Sequence, residues 1–364
     1  MRATPLEELL RDLVRIPSPS GSEGAACEHA AHWLERSGLV VERAGDNVIA
    51  RLCGGPGATL LLNSHLDTVP AGQGWEVDPW QAEWRDGRLF GLGANDAKAS
   101  AAAMMWAAAG LARAGGLPGE LVLALTACEE TSNAGMEAVL ARVGRPDAAV
   151  TGEPTGLAVV RAQAGLALLV ATWTGRACHA AHVARVEHEN ALLAAARDLA
   201  RIDEPWLLEG EHPLLGASTL TATVLAAGER HNLVPDRAEA VFDARLAPPH
   251  DAAECVRLLA AALPRAAIRV RSERLRAVET AADHPLVRAA LACAGGAQAV
   301  GSSTLSDMAL LRGVPAIKCG PGESARSHAP NEYVTRAELA AGAAFYTALV
   351  PAALRALEEE PARP

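Results

Sequence analysis

Short apolar runs alternate with amphipathic stretches along the first part of the chain. The spacing of apolar positions predicts a helix from Thr4 to about Arg15, with a capping box at its start, and a second helix from near Ser22 that stops at Gly38. Short strands are predicted at residues 39–43, 47–52, 59–63, 120–127 and 148–151, and further helices at residues 98–114 and 135–142. Because strands alternate with helices, we predict an α/β sheet with helices on its faces.

The pattern changes after about Ala167, where the predicted order becomes strand, helix, strand, strand, helix, strand. This β-α-β-β-α-β order is typical of a ferredoxin-like unit. Its elements are predicted at residues 168–174, 189–201, 218–226, 239–246, 252–263 and 268–272. Alternation of helices and strands then resumes and ends in a long helix from about residue 336 to residue 357. We therefore predict that residues 167–276 form a ferredoxin-like domain inserted into an α/β domain made of residues 1–166 and 277–364.

The composition excludes several classes of protein. At 364 residues the chain exceeds what one hydrophobic core usually organises, which agrees with two domains. The net charge of −10 argues against a nucleic-acid partner, because phosphate binding needs clustered Lys and Arg. No uncharged apolar run of about 18 residues occurs and the first helical turn is acidic, so we expect no membrane span, no secretory signal and a cytoplasmic protein. The seven scattered cysteines include no Cys-x-x-Cys pair, which disfavours a disulfide framework and a thiolate zinc site.

Polar residues that could take part in catalysis or bind a metal follow the ends of the apolar strands. His65 and Asp67 come after one strand, Glu129 and Glu130 after another, and Glu153 after a third. Because open α/β sheets build their sites at the C-terminal ends of strands, we expect these side chains to converge. Each motif alone has a plain alternative, a turn for His-x-Asp and a solvated turn for the paired acids. Three carboxylate-bearing strand ends at one edge make coincidence the weaker explanation.

Two further segments add candidate ligands. Asp96 stands after a glycine-rich stretch and just before an alanine-rich helix, where the plain alternative is a helix cap, and His328 lies in a glycine-rich loop. Imidazole and carboxylate groups without thiolates suit divalent ions. With one carboxylate bridging, two ions about 3.5–4 Å apart can lower the pKa of a shared water and polarise a carbonyl. Amide hydrolysis needs both effects, so the residues predict a metal-dependent amide hydrolase.

These segments, in this order, resemble the M20 family of metallo-aminoacylases and exopeptidases over essentially the whole chain. The resemblance implies a zinc-peptidase-like catalytic domain and assigns the inserted domain as a lid and dimerisation domain, and hence implies a homodimer. One ion would be held by His65, Asp96 and Glu153, and the other by Asp96, Glu130 and His328, with Asp96 bridging. Glu129 would be the general base and Asp67 would orient His65. Zinc is the expected metal, and cobalt and manganese accept the same ligands.

Segments of the inserted domain resemble parts of the family that contact the substrate. Residues 175–179 resemble the segment whose histidine, here His179, stabilises the oxyanion in the active site of a partner subunit. Asn232 and Arg245 match an asparagine and an arginine that contact the substrate carboxylate, a task that suits the fork of arginine. A turn and a surface ion pair are the plain alternatives for these two residues. Arg326 is a further candidate for substrate binding.

The resemblance also points to a substrate class. Leu92 replaces an arginine that many relatives have before the bridging aspartate, but no presumed ligand is lost. Residues 95–97, 302–307 and 324–328 look most like the acetylornithine and acetylcitrulline deacetylase branch. The leading hypothesis is therefore hydrolysis of N-acetylornithine or N-acetylcitrulline in arginine biosynthesis. Alternatives are a succinyl-diaminopimelate desuccinylase, a dipeptidase or carboxypeptidase, and a hydrolase that releases lysine or ornithine from a carrier protein. A metal-free binding protein is disfavoured, because every presumed ligand is present.

Overall fold

The computed structural model describes residues 3–202, 206–296 and 298–359 of the chain. The described residues fall into two compact units. The first unit is drawn from Met1–Ala162, Val278–Val300 and Ser306–Pro364, and the second unit from Gln163–Ala277 and Gly301–Leu305. The predicted boundaries lie at 166/167 and 276/277, and residues 301–305 are predicted to belong to the first domain. Residues 301–305 join the second unit because Gly301 lies so close to the backbone of Leu214 that a Cβ atom on Gly301 would be 2.2 Å from the Leu214 carbonyl oxygen.

Helices and strands alternate through both units. The first stretch contains α1 (Pro5–Arg15), α2 (Gly24–Arg36), β1 (Val40–Arg43), β2 (Val48–Cys53), β3 (Thr59–His65), β4 (Glu83–Arg85), β5 (Arg88–Phe90), α3 (Lys98–Ala114), β6 (Glu120–Thr126), α4 (Ala134–Val143), β7 (Ala148–Thr151) and β8 (Val160–Gln163). The second unit contains β9 (Gly165–Thr174), α5 (Ala191–Leu199), β10 (Trp206–His212), β11 (Gly216–Ala227), β12 (Arg237–Leu246), α6 (Ala252–Ala262) and β13 (Ala266–Leu275). The last stretch contains β14 (Val278–Glu279), α7 (Pro285–Ala294), β15 (Val300–Ser302), β16 (Ala316–Lys318), β17 (Tyr333–Thr335) and α8 (Arg336–Glu359).

A mixed sheet forms the centre of the first unit. Within the described residues it has nine strands in the order β1-β2-β6-β3-β7-β16-β8-β14, with β15 attached to β8. The neighbours β6, β3, β7 and β16 are parallel, so their C-terminal ends meet at one edge. The alanine-rich helix α3 packs closely on β3, β6 and α8, because its small side chains let the backbones approach. The predicted α/β fold is confirmed.

The second unit is built on an antiparallel sheet with the order β10-β11-β12-β9-β13. Taken with α5 and α6, the strands β9, β11, β12 and β13 follow the predicted ferredoxin-like order. Strand β10 is not predicted from the sequence, because it contains Gly210 and two glutamates, and it pairs irregularly with β11. Because β10 lies at the edge of the sheet, it extends the predicted arrangement without changing it.

Helix α8 is, by its length and composition, apolar enough to cross a membrane, although it contains no uncharged run of 18 residues. Half of its most apolar stretch is buried within the protein. Leu349, Val350 and Leu354 belong to the hydrophobic core of the first unit. Since the core helix of a soluble protein meets the same criteria, we describe α8 as a core helix.

A buried polar contact in the second unit generates a stability prediction. The indole N–H of the fully buried Trp173 donates to Asp198 Oδ2 at 2.9 Å, and Arg265 donates to Asp198 Oδ1 at 2.7 Å. We predict that Asp198→Ala lowers the free energy of unfolding of this unit by about 1–3 kcal/mol, because the buried indole donor loses its partner. Denaturant unfolding followed by tryptophan fluorescence measures the change. Arg201→Ala is the control, since Arg201 is mostly exposed and lies 3.8 Å from Asp198. Equal losses in both variants would contradict the prediction.

Candidate metal centre

Three parallel strands deliver the candidate residues to one edge of the central sheet. β3 ends at His65, β6 is followed by Glu129 and Glu130, and β7 is followed by Glu153. The register aligns the last residues of β3 and β6 and places β7 beside β3. The apolar strands are buried up to this edge, and the polar residues begin where the strands end.

The first group of possible metal ligands consists of His65, Asp96 and Glu153. Each residue offers one ligand atom, and these atoms lie within 4.8 Å of one another. His65 Nε2 is 3.3 Å from Asp96 Oδ1. The side chain of His65 is 1% exposed and that of Asp96 is 12% exposed, so an ion bound here would be held inside the protein.

The second group consists of Asp96, Glu130 and His328, whose ligand atoms also lie within 4.8 Å of one another. His328 Nε2 is 2.8 Å from Glu130 Oε1 and 3.7 Å from Asp96 Oδ2. Asp96 therefore directs Oδ1 toward His65 and Oδ2 toward His328, which is the arrangement of a bridging carboxylate. Half of the His328 side chain is exposed, so the second group is the more open of the two.

The chemistry of this donor set fits divalent cations. Both groups contain imidazole and carboxylate donors without thiolates. Burial raises the pKa of Glu153 to about 8, and the charge of Asp96 adds to the effect although His65 opposes it. Burial also raises the pKa of Glu129 well above its ordinary value. Carboxylates confined in this way repel one another, and a divalent cation removes that cost.

Asp67 supports both His65 and the turn that carries Glu129 and Glu130. His65 Nδ1 donates to the backbone carbonyl of Asp67 at 3.0 Å, and the Asp67 carboxylate is 3.5 Å from the same nitrogen. The backbone N–H groups of Glu129 and Glu130 donate to the two Asp67 carboxylate oxygens at 3.0 and 3.1 Å. With Nδ1 donating, Nε2 of a neutral ring is the acceptor, as it is in a histidine that ligates a metal. Asp67 thus stands where a residue that orients His65 is expected.

Glu129 belongs to neither ligand group, although it is next to Glu130 in the chain. Its Oε1 accepts a hydrogen bond from Asn133 Nδ2 at 3.3 Å. The charges of Glu153 and Asp307 act in the same direction as burial on the pKa of Glu129. A carboxylate that is close to the ligands but is not one of them is suited to accept a proton from water.

The three candidates from the inserted domain, His179, Asn232 and Arg245, lie in the second unit. The segments of His179 and Asn232 are neighbours, because the N–H of Ala180 donates to the Asn232 carbonyl at 2.9 Å. His179 and Asn232 are exposed. Arg245 donates to both carboxylate oxygens of Asp243 at 2.7 and 3.1 Å. Arg245 therefore forms an ion pair, which was the alternative to its binding of a substrate carboxylate.

Arg326 is engaged within the first unit. Its guanidinium donates to the two carboxylate oxygens of Glu338 at 2.9 and 3.0 Å and lies 4.5 Å from the centre of the Tyr333 ring. Its Nη1 and Nη2 donors are thus engaged by Glu338, and these contacts hold the loop before β17. The substrate-binding role of Arg326 stays a prediction.

Two buried residues without a role in the sequence analysis join the loops that carry Asp96 and His328. The carboxylate of Glu332 accepts hydrogen bonds from the backbone N–H groups of Asn95 and Asp96 at 2.7 and 2.9 Å. The Asn95 side chain in turn accepts from the N–H of Glu323 at 2.9 Å and donates to its carbonyl at 3.1 Å. These contacts tie the loop that carries Asp96 to the loop that carries His328. The only sequence signal was a glutamate and an asparagine within glycine-rich loops.

A comparison with known protein families agrees with this geometry. Residues 61–352 match the model of peptidase family M20/M25/M40. The chain belongs to this family. The resemblance inferred from the motifs is confirmed, and membership of a peptidase family makes the chain a hydrolase that acts on amide bonds.

Curated relatives with different named substrates are similarly close to this member of the family. An acetylornithine deacetylase of Myxococcus xanthus is 31% identical over 338 residues, which cover 84% of this chain and 86% of that protein. A protein of Pyrobaculum aerophilum, named "Putative LysW-lysine/LysW-ornithine hydrolase", is 32% identical over 261 residues, which cover 71% of this chain and 70% of that protein. The two relatives support the amide hydrolase activity and differ in the substrate that their names give.

A solved structure shows that the similarity extends to the whole fold. A Bacillus subtilis protein described as a dinuclear metal-binding peptidase of the M20 family has a TM-score of 0.75 to this chain at 17% identity. The match covers 96% of this chain and 98% of that protein. At this level of identity the likeness supports the fold and leaves the ligand assignment to the geometry described above.

We predict that metal removal destabilises the first unit most at alkaline pH. Burial raises the pKa of Glu153 from 4.5 to about 8, and the hydrogen bond to Glu130 raises that of His328 from 6.5 to about 8. Because folding raises both pKa values, the stabilising contribution of these groups is complete below their ordinary pKa values of 4.5 and 6.5. It is lost as the pH rises through about 8. Bound cations supply the charge that the protons supplied, so the loss should vanish in the loaded protein.

Thermal melting of chelator-treated and metal-loaded protein at about pH 6 and about pH 9 measures this effect. We expect the metal-free protein to melt at a lower temperature at the higher pH, and the gain on adding metal to be larger there. A metal-free protein with the same melting temperature at both pH values would contradict the prediction.

Glu332→Gln is predicted to weaken ion binding by about 10–100-fold, as is typical for groups that hold a metal ligand in place. The glutamine amide has one acceptor oxygen where the carboxylate has two. It therefore cannot accept all the hydrogen bonds that the N–H groups of Gly93, Asn95 and Asp96 donate to Glu332. Calorimetric titration of chelator-treated protein with zinc measures the affinity. Glu323→Gln is the matched control, since Glu323 contacts Asn95 through its backbone. Equal affinities in the two variants would rule out this role of Glu332.

Proposed function

We propose that the protein is a dinuclear metal-dependent hydrolase that removes the acyl group from an N-acyl amino acid, with N-acetylornithine or N-acetylcitrulline as the leading substrates. The observation that carries the proposal is the position of Asp96 between two ligand groups, with one carboxylate oxygen toward each. Glu129 stands beside these groups without belonging to either. A pair of cation sites and a separate carboxylate is the set that amide hydrolysis requires.

The proposed ligands are His65, Asp96 and Glu153 for one ion and Asp96, Glu130 and His328 for the other. We propose zinc as the metal, with cobalt and manganese as alternatives. When bound, the two ions supply Lewis acidity that polarises the amide carbonyl and lowers the pKa of water. Asp67 keeps the His65 ring oriented with Nε2 toward the centre. Its carboxylate also accepts a hydrogen bond from the N–H of Glu130, which keeps Glu130 in place.

Glu129 is the proposed general base. Its carboxylate takes a proton from the attacking water, and the same proton then passes to the nitrogen of the leaving amine as the amide bond breaks. Burial, which raises its pKa, makes Glu129 a stronger base than an exposed glutamate. Water is consumed, and a carboxylic acid and a free amino group are formed.

The second unit is proposed to act as a lid and dimerisation domain in a cytoplasmic homodimer. His179 would donate to the developing oxyanion in the site of a partner subunit, and Asn232 and Arg245 would bind the substrate carboxylate. Exposure of His179 and Asn232 supports these roles, because both side chains are available to a ligand. The ion pair with Asp243 holds the Arg245 guanidinium in one orientation.

A second candidate is a hydrolase that releases lysine or ornithine from a carrier protein. Similarity to the Pyrobaculum aerophilum protein, at 32% identity, favours it. The two candidates share the chemistry of the centre and differ in what is attached to the reacting nitrogen. A succinyl-diaminopimelate desuccinylase and an M20 dipeptidase or carboxypeptidase use the same chemistry and belong in the same test.

The proposal is tested by measuring amine release from N-acetylornithine, N-acetylcitrulline, N-succinyl-diaminopimelate, several dipeptides and a carrier-linked ornithine. We predict turnover of an acetylated substrate that is abolished by a chelator and restored by zinc. Glu129→Gln should lower kcat by about 100- to 10,000-fold, because general base catalysis contributes that much. It should keep the ion binding of the unchanged protein, since Glu129 is in neither ligand group.

Turnover of the carrier-linked substrate alone would establish the second candidate. Absence of turnover on every substrate with metal bound, or full activity in the presence of the chelator, would contradict the proposed function.

A further inference from the structure

The turn between β6 and α4 contains a buried asparagine that the reaction described above does not use. Asn133 is 5% exposed and adopts the left-handed backbone conformation, with a φ of 50°. Its N–H donates to the carbonyl of Cys128 at 2.7 Å, which closes the turn that carries Glu129. An asparagine just before a helix usually accepts a helical N–H with its side chain, but Asn133 makes no such bond. Its amide group is therefore directed elsewhere.

The Asn133 amide lies between two carboxylates. Nδ2 is 3.3 Å from Glu129 Oε1 and 3.1 Å from Asp307 Oδ1. An amide nitrogen carries two hydrogens, so it can donate one to each carboxylate. The donor is neutral and has no positive charge that could move away into solvent. It therefore ties the Glu129 carboxylate to Asp307 without changing the charge of the site.

Asp307 is itself anchored to the central sheet. It is 1% exposed, and its Oδ2 accepts hydrogen bonds from Thr126 Oγ1 at 2.7 Å and from Asn63 Nδ2 at 3.3 Å. Asn63 is on β3 and Thr126 is the last residue of β6. A chain of hydrogen bonds thus runs from two parallel strands through Asp307 and Asn133 to Glu129. Such chains hold a side chain more firmly than one contact does.

We propose that Asn133, anchored on Asp307, is a positioning residue that fixes the carboxylate of Glu129 so that Oε2 faces the water that it deprotonates. The inference rests on the proposed role of Glu129 as the general base. With Oε1 held by the Asn133 amide, the proton is accepted by the other oxygen, and the direction of that oxygen is set by the sheet. General base catalysis depends on such alignment, because a proton moves over hydrogen-bond distance only.

The competing explanation is that asparagine is present only because it tolerates the left-handed conformation. Asn133→Gly separates the two explanations, since glycine accepts this φ at least as well and lacks the amide. We expect Asn133→Gly to lower kcat by about 10-fold or more, with KM changed less than about twofold and ion binding unchanged. Asp86→Gly is the matched control, because Asp86 has a φ of 48° in the exposed turn between β4 and β5. This control should leave kcat unchanged.

A double variant asks whether Asn133 acts through Glu129. If it does, Asn133→Gly should have little further effect on kcat in the Glu129→Gln background, because there is no base left to position. An equal loss in both backgrounds, an unchanged kcat in Asn133→Gly, or lost ion binding would overturn the inference. If Asn133→Gly fails to fold, Asn133→Asp keeps the backbone preference and removes the donors, and it should lower kcat at least as much; an unchanged kcat in Asn133→Asp would equally overturn the inference.

The same series separates this inference from the proposed function. A Glu129→Gln variant with unchanged kcat would refute Glu129 as the base, whatever Asn133 does. A Glu129→Gln variant with the expected loss, beside an Asn133→Gly variant with none, would refute the positioning role alone.

Discussion

Burial of carboxylates at the end of the parallel sheet, together with the repulsion among them, is the constraint on which the rest of the centre depends. Asp96, Glu129, Glu130 and Glu153 lie in one largely buried place, where burial and, to a smaller extent, neighbouring carboxylates raise the pKa values of Glu129 and Glu153. Carboxylates in such a place take up protons or need cations. The protein supplies part of the compensation with imidazoles, backbone N–H groups and the buried Lys318, whose charge opposes the effect of burial on Glu153. The remainder is what the two proposed divalent ions would provide.

The geometry of the ligands is built by contacts between loops, not by the strands alone. The carboxylate of Asp67, after β3, accepts hydrogen bonds from backbone N–H groups of the turn after β6. The carboxylate of Glu332, in the loop of His328, accepts hydrogen bonds from backbone N–H groups of the loop that carries Asp96. Strand ends thus place His65, Glu130 and Glu153 approximately, and buried acceptors from other loops hold the backbones of Glu130 and Asp96. The arrangement follows a general requirement that the residues binding an ion are themselves held by surrounding hydrogen bonds.

The sequence predicted the features that leave a local signal. An apolar run that ends in a polar residue is visible in the chain, so the strands and the candidate ligands at their ends could be predicted. Glu332 could not be assigned a role, because its partner Asp96 is 236 residues away and no periodicity links them. The hydrogen bond from Asn133 to Asp307 joins residues that are 174 positions apart, and it likewise leaves no signal in the sequence. For Arg326, the sequence shows a guanidinium but not which carboxylate, that of a substrate or that of Glu338, will occupy it.

The residues proposed for the reaction and most of the candidates for substrate contact lie in different units. The residues of the centre therefore indicate the reaction and leave the substrate open. Every residue proposed to activate water or to bind an ion belongs to the first unit. Three of the candidates for substrate contact, His179, Asn232 and Arg245, belong to the second unit, where Arg245 donates to Asp243 through Nε and Nη2. The Nη1 donors remain outside this ion pair, and the pair has already ordered the side chain. If a substrate carboxylate binds at Nη1, as proposed, it would meet a guanidinium that the ion pair with Asp243 has already ordered, which lowers the entropic cost of binding.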